Sequence, residues 1–122
     1  MKEVKFTSFE AACAQLNIST ALPDVSMLAE KYGKALVAHH KLMVLVEANN
    51  GDWVVDYKDD NQRKYFPWFE YVPGSGWVLD DCGLEYTGAY VGARLALKSA
   101  ELAKEMGREF IGLYSDLLSG QK

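Results

Sequence analysis

The residues of this chain whose types could do chemistry are two adjacent histidines, two cysteines and a few short carboxylate groups. His39-His40 could hold a metal only if both rings reached one ion. Neighbours on a helix diverge by about 100°, whereas helical ligand pairs sit at i and i+4. A core-edge histidine beside a surface histidine is the expectation, and no metal site is predicted. Asp56-Tyr57-Lys58-Asp59-Asp60-Asn61-Gln62 has the carboxylate density of a calcium loop. That loop needs acids at its first, third and fifth positions, glycine at the sixth and glutamate at the twelfth. Here Lys58, Asn61 and Pro67 stand at the third, sixth and twelfth, so a solvated, capping loop is expected. A weak cation contact at Asp59 and Asp60 is left open. Asp80-Asp81 reads as one outward carboxylate plus one turn or bulge residue. A glycan hydrolase would need two carboxylates facing across a cleft, drawn from Asp56, Asp59, Asp60, Asp80, Asp81 and Glu85. Cys13 and Cys82 carry no local cue for a lowered pKa. Gly74-Ser75-Gly76 links strands instead of opening a helix, so no phosphate cradle is expected there. No catalytic residue and no cofactor is predicted, and the chain is not expected to be an enzyme.

The aromatic residues are more informative. Ten of the fifteen fall between Trp53 and Tyr90, centred on Lys64-Tyr65-Phe66-Pro67-Trp68-Phe69. Rings dominate both cores and interfaces, so the question is which are sheltered. In one reading Trp53, Tyr65, Trp68 and Trp77 close a small core against long helices. In the other, strand alternation sends Tyr65, Pro67, Phe69 and Tyr71 to one face and Phe66, Trp68 and Glu70 to the opposite one. Helices would cover one face and another molecule the other. The partner-binding candidates are Tyr65, Trp68, Phe69 and Trp77, with Lys64 and Arg94 as rim charge.

The elements that must position these rings follow from periodicity and punctuation. Thr7 and Glu10 have capping-box spacing with Phe6 at the staple position, predicting a short helix to about Asn17. Leu22-Pro23 belongs to a connector. From about Met27 to Asn49, Leu28, Tyr32, Ala35, Leu36, His39, Leu42, Met43 and Val46 recur at helical steps. Gly33 is a weak point within that long helix, and Asn49-Asn50-Gly51 supplies its stop. A strand over Tyr65 to Val72, a Pro73-Gly74-Ser75-Gly76 turn and a strand from Trp77 to about Thr87 form a hairpin. Pro67 places the first strand at an edge or a bulge. Arg94 to Lys98 reads as a third strand or as an early start of the last helix. Ser99 is a good N-cap for that helix, whose inward stripe is Leu102, Ala103, Met106, Phe110, Leu113, Tyr114 and Leu117. The expected fold is a single α+β domain over 1–122, with helices covering one face of an antiparallel meander of two or three strands.

At 122 residues and 13.6 kDa, the chain is long enough to bury a core without a staple. Two cysteines in such a chain are expected to stay reduced. A net charge of −4 with scattered lysines argues against nucleic acid, which needs a concentrated basic footprint. No long apolar run suggests a membrane span or a leader, and the cytoplasm is the expected compartment.

The segments Ala38-His39-His40-Lys41-Leu42, Trp53-Val54-Val55-Asp56-Tyr57, Gln62-Arg63-Lys64-Tyr65-Phe66-Pro67-Trp68-Phe69 and Gly92-Ala93-Arg94-Leu95-Ala96-Leu97-Lys98-Ser99 resemble a group of small phage- or prophage-associated proteins of anaerobic bacteria. The group has no established activity. The likeness runs over residues 9–118, and its most specific part is the Gln-x-Lys-Tyr-aromatic-Pro-Trp-Phe segment. Similar proteins carry Trp in place of Tyr57, Asn in place of Asp59 and Tyr in place of Phe66. They also carry an aromatic beside a Cys in place of Ala96 and Leu97. The resemblance implies a shared architecture and a phage-like setting, without catalytic residues. The function expected is a non-enzymatic interaction protein that binds a protein partner or its own copy through an aromatic β surface. A carbohydrate-binding module using the same rings is the alternative.

Overall fold

The computed structural model describes residues 2–85 and 94–119. It has α+β architecture: α1 Phe9–Leu16, α2 Glu30–Asn50, β1 Lys64–Val72, β2 Gly76–Glu85, α3 Ala100–Glu109 and α4 Ile111–Leu118. The hairpin lies on α3 and α4, α2 packs against α4, and α1 packs against α2. Leu42, Leu45, Leu97, Leu102 and Met106 form the dry centre, each such side chain contributing about 1.5–3 kcal/mol by leaving water.

Helix α1 is capped by Ser8, whose Oγ accepts the Ala11 N–H at 3.1 Å; the capping-box reading had placed the cap one residue earlier, at Thr7. Ser8 is the residue in the extended conformation (φ −136°, ψ 151°) that a cap requires. Asn17, in the left-handed region at φ 57°, closes the helix as the sequence suggests. Helix α2 begins at Glu30 and not at Met27, because Asp24 caps the Ser26 N–H and Val25 closes a turn on Leu28. Val25 then folds onto Gly33, where a Cβ would lie 2.9 Å from Val25 Cγ2. That glycine is a notch for the connector.

Two consecutive asparagines organise the end of α2. Asn49 Oδ1 accepts the Lys5 and Phe6 N–H groups at 2.8 and 3.0 Å, and its Nδ2 donates to Phe6 O and Leu45 O. The N-terminal segment is pinned a second time where Glu105 accepts the Glu3 and Val4 N–H groups. Asn50 Nδ2 donates to Ala96 O and its Oδ1 accepts the Lys98 N–H.

That second clamp corrects the third strand expected over Arg94 to Lys98. The Ala96 carbonyl and Lys98 amide are engaged by Asn50, and Arg94 turns the chain at φ 66°. Among the described residues one isolated bridge is left, Leu97 to Tyr65, and the sheet has two strands. The last helix is likewise two: Phe110 leaves helical geometry (φ −115°, ψ 31°) and separates α3 from α4. Ser99 caps α3 as expected, accepting the Leu102 N–H at 3.1 Å.

The hairpin turn closes through Ser75 N–H to Val72 O at 2.9 Å with Gly74 at φ 88°, the pattern of a type II turn with proline second and glycine third. The register shifts between Trp68 and Phe69, where Asp80 is the extra residue of β2. One member of the Asp80-Asp81 pair is thus a bulge residue, and Pro67 lies one step from the irregularity. The second strand was expected to run to about Thr87; residues 86–93 lie outside the described ones.

Candidate partner-binding face

Alternation gives the hairpin two unlike faces. On the inner one, Pro67, Phe69 and Leu79 crowd Gly107 of α3, where a Cβ would lie 2.7 Å from Leu79 Cδ1 and 3.0 Å from Pro67 Cβ. Phe69 also meets the Tyr114 ring at 4.9 Å. Tyr65, Phe69 and Cys82 pack against the core. Tyr71 and Trp77, opposite each other, stack edge to face at 5.4 Å, and Trp77 Nε1 donates to Ser119 Oγ at the end of α4. Both helices that pack on the sheet therefore sit on this side.

The outer face carries Phe66, Trp68, Glu70 and Val72 from β1, opposite Gly83, Asp81, Val78 and Gly76 of β2. Trp68 is 57% exposed, and its indole covers Gly83 so closely that a Cβ there would fall inside the ring. An aromatic laid over a cross-strand glycine stabilises the pair while leaving the rest of the ring free.

The six candidates from the sequence do not form one surface. Trp68 is on the outer face and Arg94 is exposed on the segment after the hairpin. Tyr65 and Phe69 face the core, and Trp77 is tied to α4. Lys64 is a correction: it is fully buried, not on a rim. Its Nζ donates to Gln62 O at 3.1 Å and Asp59 O at 3.5 Å and lies 5.3 Å from the Tyr57 ring centroid. The preceding loop folds back on itself, with Asp56 and Asp59 capping Lys58 and Asn61 and Gln62 bonding Asp56 N–H and Val54 O. Phe66 and Glu70 share the outer face with Trp68, as strand alternation predicts, although neither was among the six candidates; Asp81 joins them through the register of the bulged partner strand, which a count along β1 does not supply.

A second apolar strip also departs from the sequence reading. Leu28, Tyr32 and Leu36, expected on the inward stripe of the long helix, are 47%, 62% and 49% exposed. The buried face of α2 runs instead through Ala38, Leu42, Leu45 and Val46, and α1 and α4 are the helices that pack against α2. At the middle of this strip the Lys31 ammonium lies 5.1 Å from the centre of the Tyr32 ring.

Elsewhere the chemistry is structural. His40 packs edge-on to Phe9 at 5.8 Å. Among the described residues, no three His, Cys, Asp or Glu side chains converge as a metal site, and no helix is long and apolar enough to cross a membrane. Cys13 and Cys82 are free thiols. Burial first and the Asp81 carboxylate second push the Cys82 thiol up, with Lys104 opposing, the reverse of nucleophile activation. Two open hollows of about 490 and 460 Å³ lie away from the outer face. The first is spanned by the Lys34–Asp116 pair at 3.7 Å, and in the second the Asn49 and Asn50 amides are engaged internally. Comparison with known protein families, with curated proteins and with solved structures finds no significant match.

Proposed function

We propose that this chain is a non-enzymatic interaction domain that binds another protein through the outer face of its hairpin. The observation that carries the reading is the exposed Trp68 indole on a sheet face opposite both packing helices. Tryptophan in such a position is the commonest anchor of protein interfaces. A phage or mobile-element setting for the partner is part of the proposal and rests only on the resemblance of the Gln62–Phe69 segment noted in the sequence. The same indole beside carboxylates also suits a pyranose ring, which makes carbohydrate binding the second reading.

The test is affinity capture with the wild-type chain, Trp68→Ala and Tyr32→Ala, followed by binding of the purified captured protein to each. The complex is expected to be lost with Trp68→Ala and kept with Tyr32→Ala, both variants retaining the wild-type circular dichroism. A partner that binds Trp68→Ala as well as wild type overturns the proposal, as does a glycan array with saturation-transfer contacts at the Trp68 ring.

A further inference from the structure

The outer face is acidic as well as aromatic. Asp81 stands directly opposite Trp68, Glu70 stands two residues further along the same strand, and Asp80 is at the adjoining bulge. Opposed residues have Cβ atoms about 5 Å apart and same-face neighbours along a strand about 7 Å, so Asp81 and Glu70 adjoin Trp68 on this face while its indole leans over Gly83. Glu70 and Asp80 are exposed. Asp81 is 62% exposed; its Oδ1 accepts the Cys82 N–H at 2.8 Å and lies 3.7 Å from Lys104 Nζ, so its charge is partly offset by a lysine of α3 and Glu70 and Asp80 carry the rest of the face's negative charge. The one basic residue of the two strands, Lys64, is buried against the preceding loop.

We infer that the outer face, on the interaction reading above, receives a cationic segment of a partner protein, with an arginine or lysine side chain laid on Trp68 between Glu70 and Asp81. A cation over an indole face is attracted by the ring quadrupole, and a guanidinium so placed can also donate to flanking carboxylates. Complementary charge selects the partner as well as holding it. It also selects against a second copy of this chain. A copy docked by the same face would bring another Glu70, Asp80 and Asp81 against the first set, on a chain of net charge −4, and like charges across an interface are costly.

The probe is an N-acetylated, C-amidated octapeptide of alternating arginine and threonine, titrated into the full 15N-labelled chain beside its citrulline counterpart. The arginine peptide is expected to shift the Trp68 indole N–H and the amides of 66, 68–72 and 78–83. Citrulline replacement, or Glu70→Gln together with Asp81→Asn, is expected to weaken binding about tenfold or more. Equal binding of the citrulline peptide, indifference to the paired variant, no shifts at millimolar probe, or shifts centred on Leu28, Tyr32 and Leu36 each overturn the inference. A protein partner that needs Trp68 but ignores the two carboxylates overturns the cationic inference alone. A partner indifferent to Trp68→Ala overturns the interaction reading with it. Maltohexaose shifting the indole N–H while neither peptide does overturns both in favour of a sugar site.

Discussion

The Trp68 indole rests on the bare backbone of Gly83, in the space that any side chain at position 83 would fill. Gly83 is not among the described glycines at positive φ, which are Gly51, Gly74 and Gly76, so its requirement is for room and not for conformation. Gly83→Ala is expected to displace the indole, lower stability by about 1–3 kcal/mol through overpacking and reduce partner binding. Urea unfolding with tryptophan fluorescence reads both the stability and the altered emission. An alanine variant of wild-type stability and unshifted emission would show that the ring does not sit there.

Two helical glycines give an internal contrast. Exchanging glycine for alanine in a helix favours folding by up to about 1 kcal/mol, and at Gly112 nothing lies within 4 Å of the added Cβ. Gly112→Ala is expected to raise the thermal midpoint. At Gly107 the same methyl meets Pro67 Cβ at 3.0 Å and Leu79 Cδ1 at 2.7 Å. Leu79 can rotate away, but the proline ring cannot, and an overpacking cost of about 1–3 kcal/mol outweighs the propensity gain. Gly107→Ala is expected to lower the midpoint.

Asn49 is 3% exposed and joins the N-terminal segment to α2 through both ends of its amide. Asn49→Ala leaves the Lys5 and Phe6 amides without their acceptor and is expected to cost about 2–4 kcal/mol, given about 1 kcal/mol for each bond and more for each stranded donor. Hydrogen exchange should show amides 5 and 6 losing protection. A loss below about 0.5 kcal/mol with protection intact would contradict the clamp.

The Tyr114 hydroxyl is buried without a hydrogen-bond partner among the described residues, and burial raises its pKa far above the ordinary phenol value. An unfolded tyrosine ionises near pH 10. The folded state keeps the proton where the unfolded state releases it, so this contribution is whole below about pH 10 and declines as pH rises further. The urea-derived stability of wild type should fall above about pH 10 more steeply than that of Tyr114→Phe, by up to one proton's slope. Parallel curves would refute the assignment. Below that range, Tyr114→Phe is expected to be neutral or stabilising, since it removes a polar group that gains nothing from burial.

The hairpin was legible because Pro73-Gly74-Ser75-Gly76 encodes its turn chemically, and the alternation from Tyr65 to Tyr71 divides its faces. Ser99 announced α3 for the same local reason. What could not be read depends on where elements end up. Leu28, Tyr32 and Leu36 continue the helical period of Leu42 and Val46, but Leu28 precedes α2 and among the described residues no element covers Tyr32 and Leu36; periodicity cannot say where a neighbour stops. Lys64 has the formula of a rim residue and lies in the interior because backbone carbonyls of its own loop turn toward it. Trp77 was indistinguishable from Trp68 until α4 brought Ser119 to its ring nitrogen. Non-local packing took Lys64 and Trp77 from the six candidates, whereas strand alternation alone already sets Tyr65 and Phe69 on the face opposite Trp68.

Lys64 also explains why an aspartate-dense loop needs no calcium-loop spacing. The positive charge that gathers the Asp59 and Gln62 carbonyls is tethered by covalent bonds to the first residue of β1. The entry to the hairpin is thereby gathered around a charge that the chain itself carries.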